Sequence, residues 1–511
     1  MLDSLHEMTE HALEMYDSNE LESAVALTTK AENVANSLED ETDRVTGRYY
    51  VSLALIDVGA ELKDESMIRR AIEYLKVWIH GDYSIDLPND LFNLANGYYA
   101  LLSLDPPGSF LDVDTENHQL ARRLYRMATS GMTQEHAARG TASTAWTNYG
   151  NLLDVVGRNV EALSAYDEAL ILKPDLGMAL GNKGVALRYF AVVMPGYSHL
   201  LYHESIRALE AAIQQQDLPE LARLKFVRAL DHINDIVKHH QQSNTPMDRE
   251  QYEGIQPKDD FQAFLCQFCA ANNLFLSPVS RVGKEETYFY GDPLHLLFMS
   301  GRTGDNRLNK YIWFLNEIKQ EYVLGRYFLV QSQYESAVID AVDEGVTLVQ
   351  PEFGFPVFFG TNIQLLQSAL RQAVAVLDKV AYFLYDYCKL NTKPDRISFL
   401  KIWGDLGTGT IQKGFKNYKC GHLFALFTLA RDLYRDGDWN TLIEDRGVVT
   451  HRFIILHDSQ DETESVGDIP ARHLSDFLAN TVFALQIARA AVMYLIMFFN
   501  HFEYWKPIHK K

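Results

Sequence analysis

Eight positions between 146 and 174 constrain this chain more than any other feature. Trp146, Gly150, Leu153, Gly157, Ala162, Tyr166, Ala169 and Pro174 stand at the spacing of two helices joined by a tight turn. The logic is steric. Gly150 and Ala162 are small where the two helices cross closely, and Tyr166 and Ala169 fill the next groove. Pro174 stops the second helix and sets the turn into whatever follows. Such a hairpin is a repeat unit, and units of this kind stack on their neighbours.

A second unit follows in phase, with Leu180, Gly184 and Leu187, then Ser205, Leu209 and Ala212; an insertion containing Met194-Pro-Gly-Tyr-Ser-His separates its helices. Upstream, Leu94, Ala95 and Tyr98 pair with Ala121, Tyr125 and Ala128. Further upstream only second-helix triads show: Ala24, Thr28, Ala31 and Ala71, Leu75, Trp78. The pattern resembles the tetratricopeptide repeat. That resemblance implies an α-solenoid over residues 1–240 that serves as a platform for a protein or peptide regulator. Residues 241–260 are polar, hold Pro246 and Pro257, and read as a linker.

The chain has 511 residues and four cysteines, Cys266, Cys269, Cys388 and Cys420. A core of this size needs no disulfide staples, and sparse cysteine fits a reducing compartment. The first residues are polar and acidic, without the basic and apolar regions of a signal peptide. The most apolar stretch, Phe477 to Phe499, carries Asn480, Gln486 and Arg489, and its unbroken run from Ala490 is too short for a bilayer. A buried bundle helix, no membrane partner and a cytoplasmic location are the expectation. The net charge of -21 excludes a general nucleic-acid coat but leaves room for a small basic site.

Residues 261–505 read as a second helical body, with a bundle core at about 363–503. Its expected helices are Phe261–Ala271, Leu308–Ser336, Ile363–Lys389, Gly421–Tyr434, Leu442–Leu456 and His473–His501, separated by Pro- and Gly-rich loops such as the one from Gln350. The whole chain is therefore expected to be all-α. Metal and cofactor signatures are absent. Cys266-Gln-Phe-Cys269 is a lone pair in an apolar setting and reads as core. The Gly404 loop lacks the Gly-Lys-Ser/Thr of a phosphate-binding loop.

In the second body, Arg446 and His451 stand in an Arg-x4-His spacing at the expected start of a helix. Around them, in serial order, lie Asn272-Asn-Leu-Phe-Leu-Ser-Pro, Gln320-Glu-Tyr-Val-Leu-Gly-Arg-Tyr-Phe-Leu, Leu377-Asp-Lys-Val-Ala, Ser398-Phe-Leu-Lys-Ile-Trp and Leu429-Ala-Arg-Asp-Leu. This ordered set resembles the LA2681-like branch of the HEPN superfamily. The resemblance implies a helical bundle, dimerisation through it, and a metal-independent endoribonuclease in which Arg446 and His451 line an RNA-cutting cleft between two subunits. It also implies a stress or anti-phage toxin role. Gly447 departs from the family, where the residue after the arginine is usually polar.

Histidine titrates near neutrality and can move the protons of RNA cleavage, while a guanidinium clamps the phosphate. Five residues of ideal helix are about 500° of rotation, so the two side chains diverge on one helix. A twofold copy, or a non-helical start at Arg446, would let both reach one phosphate. Asp378 and Asp432 are helix-borne acids that orient the pair or form plain ion pairs. Lys401, Lys413, Lys416 and Lys419, with Lys393 and Arg396 nearby, form a basic run that reads as RNA-docking or as solvated loop. A second match, Arg452 to His457, reads as structural because Phe453-Ile-Ile-Leu looks like buried filler, with Arg452 only supporting. The bland alternative pairs Arg446 with Glu444 or Asp445 and packs His451 against its helix. The rival function is a non-catalytic repeat scaffold whose bundle dimerises or binds a ligand.

Overall fold

A computed structural model gives the fold. It describes residues 2–18, 20–104, 116–194, 197–242, 255–279, 290–297, 306–334, 342–349, 351, 353–435, 437, 439–459 and 465–505. Residues 243–254 of the expected linker, 195–196 of the insertion, 335–336 of one expected helix, and 350 and 352 of the Gln350 loop lie outside the described residues. The protein is all-α, 74% helical with few strands, and its N-terminal region is solenoid-like. It divides into two compact units, residues 1–189 with 205–243 and residues 190–204 with 244–511.

The N-terminal helices are α1 (Leu2–Asp17), α2 (Leu21–Asn36), α3 (Glu41–Leu62), α4 (Glu65–His80), α5 (Leu87–Leu104), α6 (Glu116–Gly131), α7 (Gln134–Ala138), α8 (Thr141–Val155), α9 (Asn159–Leu172), α10 (Gly177–Val193), α11 (Ser198–Ile213) and α12 (Glu220–Gln242). The pairs α1/α2, α3/α4, α5/α6 and α8/α9 pack as hairpins, and α1, α3, α5 and α8 pack on one another in turn. Local sequence sets the boundaries. Asp40 accepts the Asp43 N–H at 2.9 Å to start α3, Lys63 ends it in the left-handed conformation, and Asp64 caps α4. Small residues sit at the crossings: a Cβ on Gly150 would lie 2.6 Å from the Tyr166 ring. Tyr166, Ala169, Ala24, Ala71, Ala121 and Ala128 are all buried, as the repeat spacing requires.

A polar ladder crosses this unit. Asn96 Oδ1 on α5 accepts from Tyr125 on α6 at 2.6 Å and from Asn148 Nδ2 on α8 at 3.1 Å. One repeat on, Asn151 Oδ1 on α8 accepts from Tyr166 on α9 at 2.9 Å and from Asn182 Nδ2 on α10 at 2.8 Å. The same amide–phenol–amide joint therefore links successive repeats.

The second unit contains α13 (Asp260–Ala271), α14 (Asn306–Gln333), α15 (Thr361–Cys388), α16 (Gly421–Asp432), α17 (Asn440–His451) and α18 (Leu474–Asn500). It also has a hairpin of β1 (Gly404–Asp405) and β2 (Thr410–Ile411), and a small sheet of β3 (Ile455–His457), β4 (Ser465–Val466) and β5 (Ile469–His473) in the order β3-β5-β4. Helix α18 packs against α14, α15, α16 and α17. It is long and apolar enough to cross a membrane, with mean hydropathy 2.0, yet 83% of that window is buried inside the protein. The expectation that its apolar run is too short is thus replaced by a different reason for reading it as core.

Segments 272–277 and 290–297 strap onto α14 and α18. Arg326 of α14, 4% exposed, pairs both guanidinium ends with Asp292 at 2.7 Å. Arg326 and Tyr322 also donate to the Leu274 carbonyl, and Arg489 of α18 donates to the carbonyls of Phe275 and Ser277. The Asn272 and Gln320 sequence motifs are therefore two halves of one buried hydrogen-bonded joint.

Candidate active site on helix α17

Helix α17 buries Leu442, Asp445 and Val449 along one face. Two guanidinium groups hold it. Arg472 on β5 reaches the Asp445 carboxylate at 3.1 Å. Arg371 on α15 donates to the Val449 carbonyl at 2.7 Å and to Ser368 at 2.8 Å. Asp445 is 0% exposed, and burial raises its pKa above the usual carboxylate range, with Arg472 pulling the other way.

Arg446 lies in the middle of α17, and His451 is the last residue of the helix. The expectation of a helix from Leu442 to Leu456 is corrected: the chain leaves the helix at Arg452, in extended conformation, and enters β3 at Ile455. The cause is parallel pairing of β3 with β5, which takes Ile455 and Leu456 into a sheet instead of a further turn. Arg446 therefore has no non-helical start to swing from. Five helical steps carry the chain from it to His451, so within one chain the two side chains project about 140° apart.

The bland pairing of Arg446 does not form. Glu444 accepts from Asn440 at 2.6 Å, and Asp445 pairs with Arg472. Among the described residues, Arg446 makes no ion pair within 4.0 Å. It is half-buried, and its charge, with that of Lys401, acts on Asp378 of α15. Burial raises the Asp378 pKa, offset by the Phe399 N–H donated at 2.9 Å and then by Arg446 and Lys401. Asp378 thus stands between the Ser398 motif and Arg446. The two matched segments Leu377–Ala381 and Ser398–Trp403 meet there.

The other expected residues spread out. His451 and Arg452 are exposed. Asp432 ends α16, where its carbonyl accepts the Trp439 N–H at 2.8 Å. Lys401, Lys413, Lys416 and Lys419 are all exposed, on the segment joining α15 to α16. His457 is buried in β3, and its Nδ1 accepts the Ser459 N–H at 3.0 Å, in line with a structural role. Phe453 overturns the reading of Phe453–Leu456 as buried filler: it is 81% exposed, while Ile455 and Leu456 are buried. Cys266 and Cys269 are buried in α13. Arg371, Arg472 and Phe453 gave no local signal, because each is defined by a partner or a surface far along the chain.

A bundle of these helices with this order of motifs was the expectation for the second unit, and comparison with family models decides it. Residues 302–501 match the family model of the LA2681-like HEPN domain. The HEPN match takes in α14 to α18 and with them Arg446, His451 and Asp378. At the level of the superfamily, a HEPN domain points to a ribonuclease or nucleotide-binding role. Segments 272–277 and 290–297 lie upstream of the match yet are locked onto its helices by Arg326 and Arg489. No tetratricopeptide family model matches the repeat region. No curated protein matches the chain.

Proposed function

We propose that the protein is a metal-independent endoribonuclease. Arg446 clamps the scissile phosphate and His451 transfers protons as the substrate's own 2'-hydroxyl attacks. The observation that carries this reading is the state of Arg446. Its neighbours Glu444 and Asp445 are engaged elsewhere, and its guanidinium keeps no ion pair among the described residues. A half-buried cation with no contact ion pair among the described residues, in a chain of net charge -21, is suited to an anionic substrate. Exposed Lys401, Lys413, Lys416 and Lys419 extend the basic surface for RNA docking, and the Asp378 carboxylate on α15 attracts Arg446 through space without a contact ion pair.

The divergence of Arg446 and His451 supports a site shared by two copies, joined through the C-terminal bundle, in which one subunit supplies the arginine and the other the histidine. The test is subunit complementation. Arg446→Ala and His451→Ala proteins are each expected to be inactive alone, and mixed dimers to regain a fraction of activity, because one of their two sites is intact. No recovery on mixing, with subunit exchange confirmed, would confine the pair to one chain.

The N-terminal repeats are proposed to hold a protein or peptide regulator, in a stress or anti-phage toxin. The amide ladder supports this. Asn96 and Asn151 spend their oxygens on Tyr125, Asn148, Tyr166 and Asn182, and among the described residues no hydrogen bond takes up their own amide donors, which suits them to a ligand backbone. The rival reading, a scaffold without catalysis, draws on Gly447, which offers no side chain to orient Arg446.

A further inference from the structure

Phe453 is the most exposed aromatic side chain among the described residues, at 81%. A single exposed apolar residue is ordinary on a protein surface. The tether of Phe453 is not ordinary. On one side α17 ends at His451, closed by the Arg452 N–H on the Val448 carbonyl at 2.8 Å. On the other, Ile455 enters β3, where it pairs with Ala471 of β5. Two residues, Phe453 and Ile454, span the gap between these fixed points, and Ile454 turns partly inward. The ring is held out in water by a short, anchored connection. Among the described residues it stacks on no other ring and meets no cation.

Its neighbours give that ring a use. His451 and Arg452 are exposed beside it. Two extended residues reach about 7 Å, so the ring stands within one nucleotide of a phosphate held at His451. An aromatic face next to a proton-transfer group and a guanidinium matches the three parts of an unpaired nucleotide: base, sugar and phosphate.

We infer that Phe453 is a base-stacking residue that holds an unpaired nucleotide adjoining the scissile phosphate. A paired base keeps both faces in its own helix and has none to give, so duplex RNA is excluded at this step. This inference rests on the ribonuclease reading and adds to it a residue that grips an unpaired base beside the scissile phosphate.

The test uses the full chain and a fluorescein-labelled single-stranded RNA, beside the same strand annealed to its complement. Binding is measured on a His451→Ala background, and cleavage on the native background. Phe453→Ala is expected to weaken single-strand binding and raise KM by roughly 5- to 150-fold, the size of one base–aromatic stack. Phe453→Trp should restore both. Duplex binding should be weaker than single-strand binding and indifferent to Phe453. The melting temperature of Phe453→Ala should match the native protein, because little of the ring is buried. His451-dependent cleavage that ignores Phe453→Ala overturns the inference and leaves the ribonuclease reading standing. Phe453-dependent binding without any cleavage does the reverse. If Phe453→Ala instead leaves RNA binding intact and splits a dimer in sedimentation, a second copy covers the ring and the inference fails.

Discussion

Arg371 on α15 donates its Nη1 hydrogen to the Val449 carbonyl, 2.7 Å away across 78 residues of sequence. The last carbonyls of a helix have no partner within it, and this one is satisfied from the neighbouring helix. Because His451 lies two residues further, Arg371 fixes where the histidine stands.

Replacing Arg371 with Met is therefore expected to loosen the C-terminal turn of α17. Loss of a hydrogen bond from a charged donor costs about 1.5–3 kcal/mol. Hydrogen exchange should quicken at the amides of 450–453 more than elsewhere in the bundle, and kcat should fall more than KM rises. Unchanged exchange there would remove Arg371 from the positioning of His451.

Arg472→Met should make stability depend on pH. Asp445 is fully buried, its pKa already raised by burial, and Arg472 is the group that opposes the rise. Without it the folded-state pKa rises further above the unfolded value. A folded state that binds the proton more tightly loses stability as pH climbs through the interval between those two values. The variant should melt close to the native protein at about pH 2, well below the ordinary aspartate value, where the carboxyl is protonated in both states. It should fall behind as pH rises, by about 3–5 kcal/mol at neutrality, the usual penalty for stranding one member of a buried pair. Thermal melts across pH read this directly, and a gap that does not widen with pH would contradict it.

Gly447 lies in ordinary helical conformation, and nothing lies within 4 Å of where its Cβ would be. Substitution there is free of steric cost. Gly447→Ala should stabilise α17 by up to about 0.8–1 kcal/mol from helix propensity. Gly447→Asn, which restores the polar residue usual after the arginine, should raise the cleavage rate without lowering the melting temperature. A loss of stability in either variant would mean that a neighbour covers this face.

In the repeat region, Ala169 is fully buried where α8 and α9 cross. Ala169→Leu should overpack that crossing and cost about 1–3 kcal/mol in chemical denaturation.

Much of this was legible in the chain. Positions 146–174 gave the α8/α9 hairpin because small residues at a helix crossing leave a fixed spacing, and Gly150 does meet Tyr166. The helices of the second unit showed through their apolar period, α15 and α18 to within two residues at each end. The end of α17 did not. Phe453-Ile-Ile-Leu is apolar in a helix, a strand or a turn, and only pairing with β5, 14 residues further on, selects the strand and turns Phe453 outward. The joints Arg371–Val449 and Arg472–Asp445 were equally silent. Each links segments that meet only in the fold, and an isolated arginine carries no sign of the carbonyl or carboxylate it will find. Arg446 and His451 were visible as a spacing, but that Arg446 would be left without an ion pair was not, since Glu444 and Asp445 were both within reach by sequence.

Incubation of the purified full-length protein with single-stranded RNA in excess chelator tests the central claim most directly. The account predicts cleavage that leaves a 2',3'-cyclic phosphate and a 5'-hydroxyl, with a loss of about 10²–10⁴-fold in His451→Ala. A comparable loss is expected in Arg446→Ala, and little change in His457→Ala, all at melting temperatures near the native one. Cleavage that requires a divalent metal, or that survives both Arg446→Ala and His451→Ala, would contradict it.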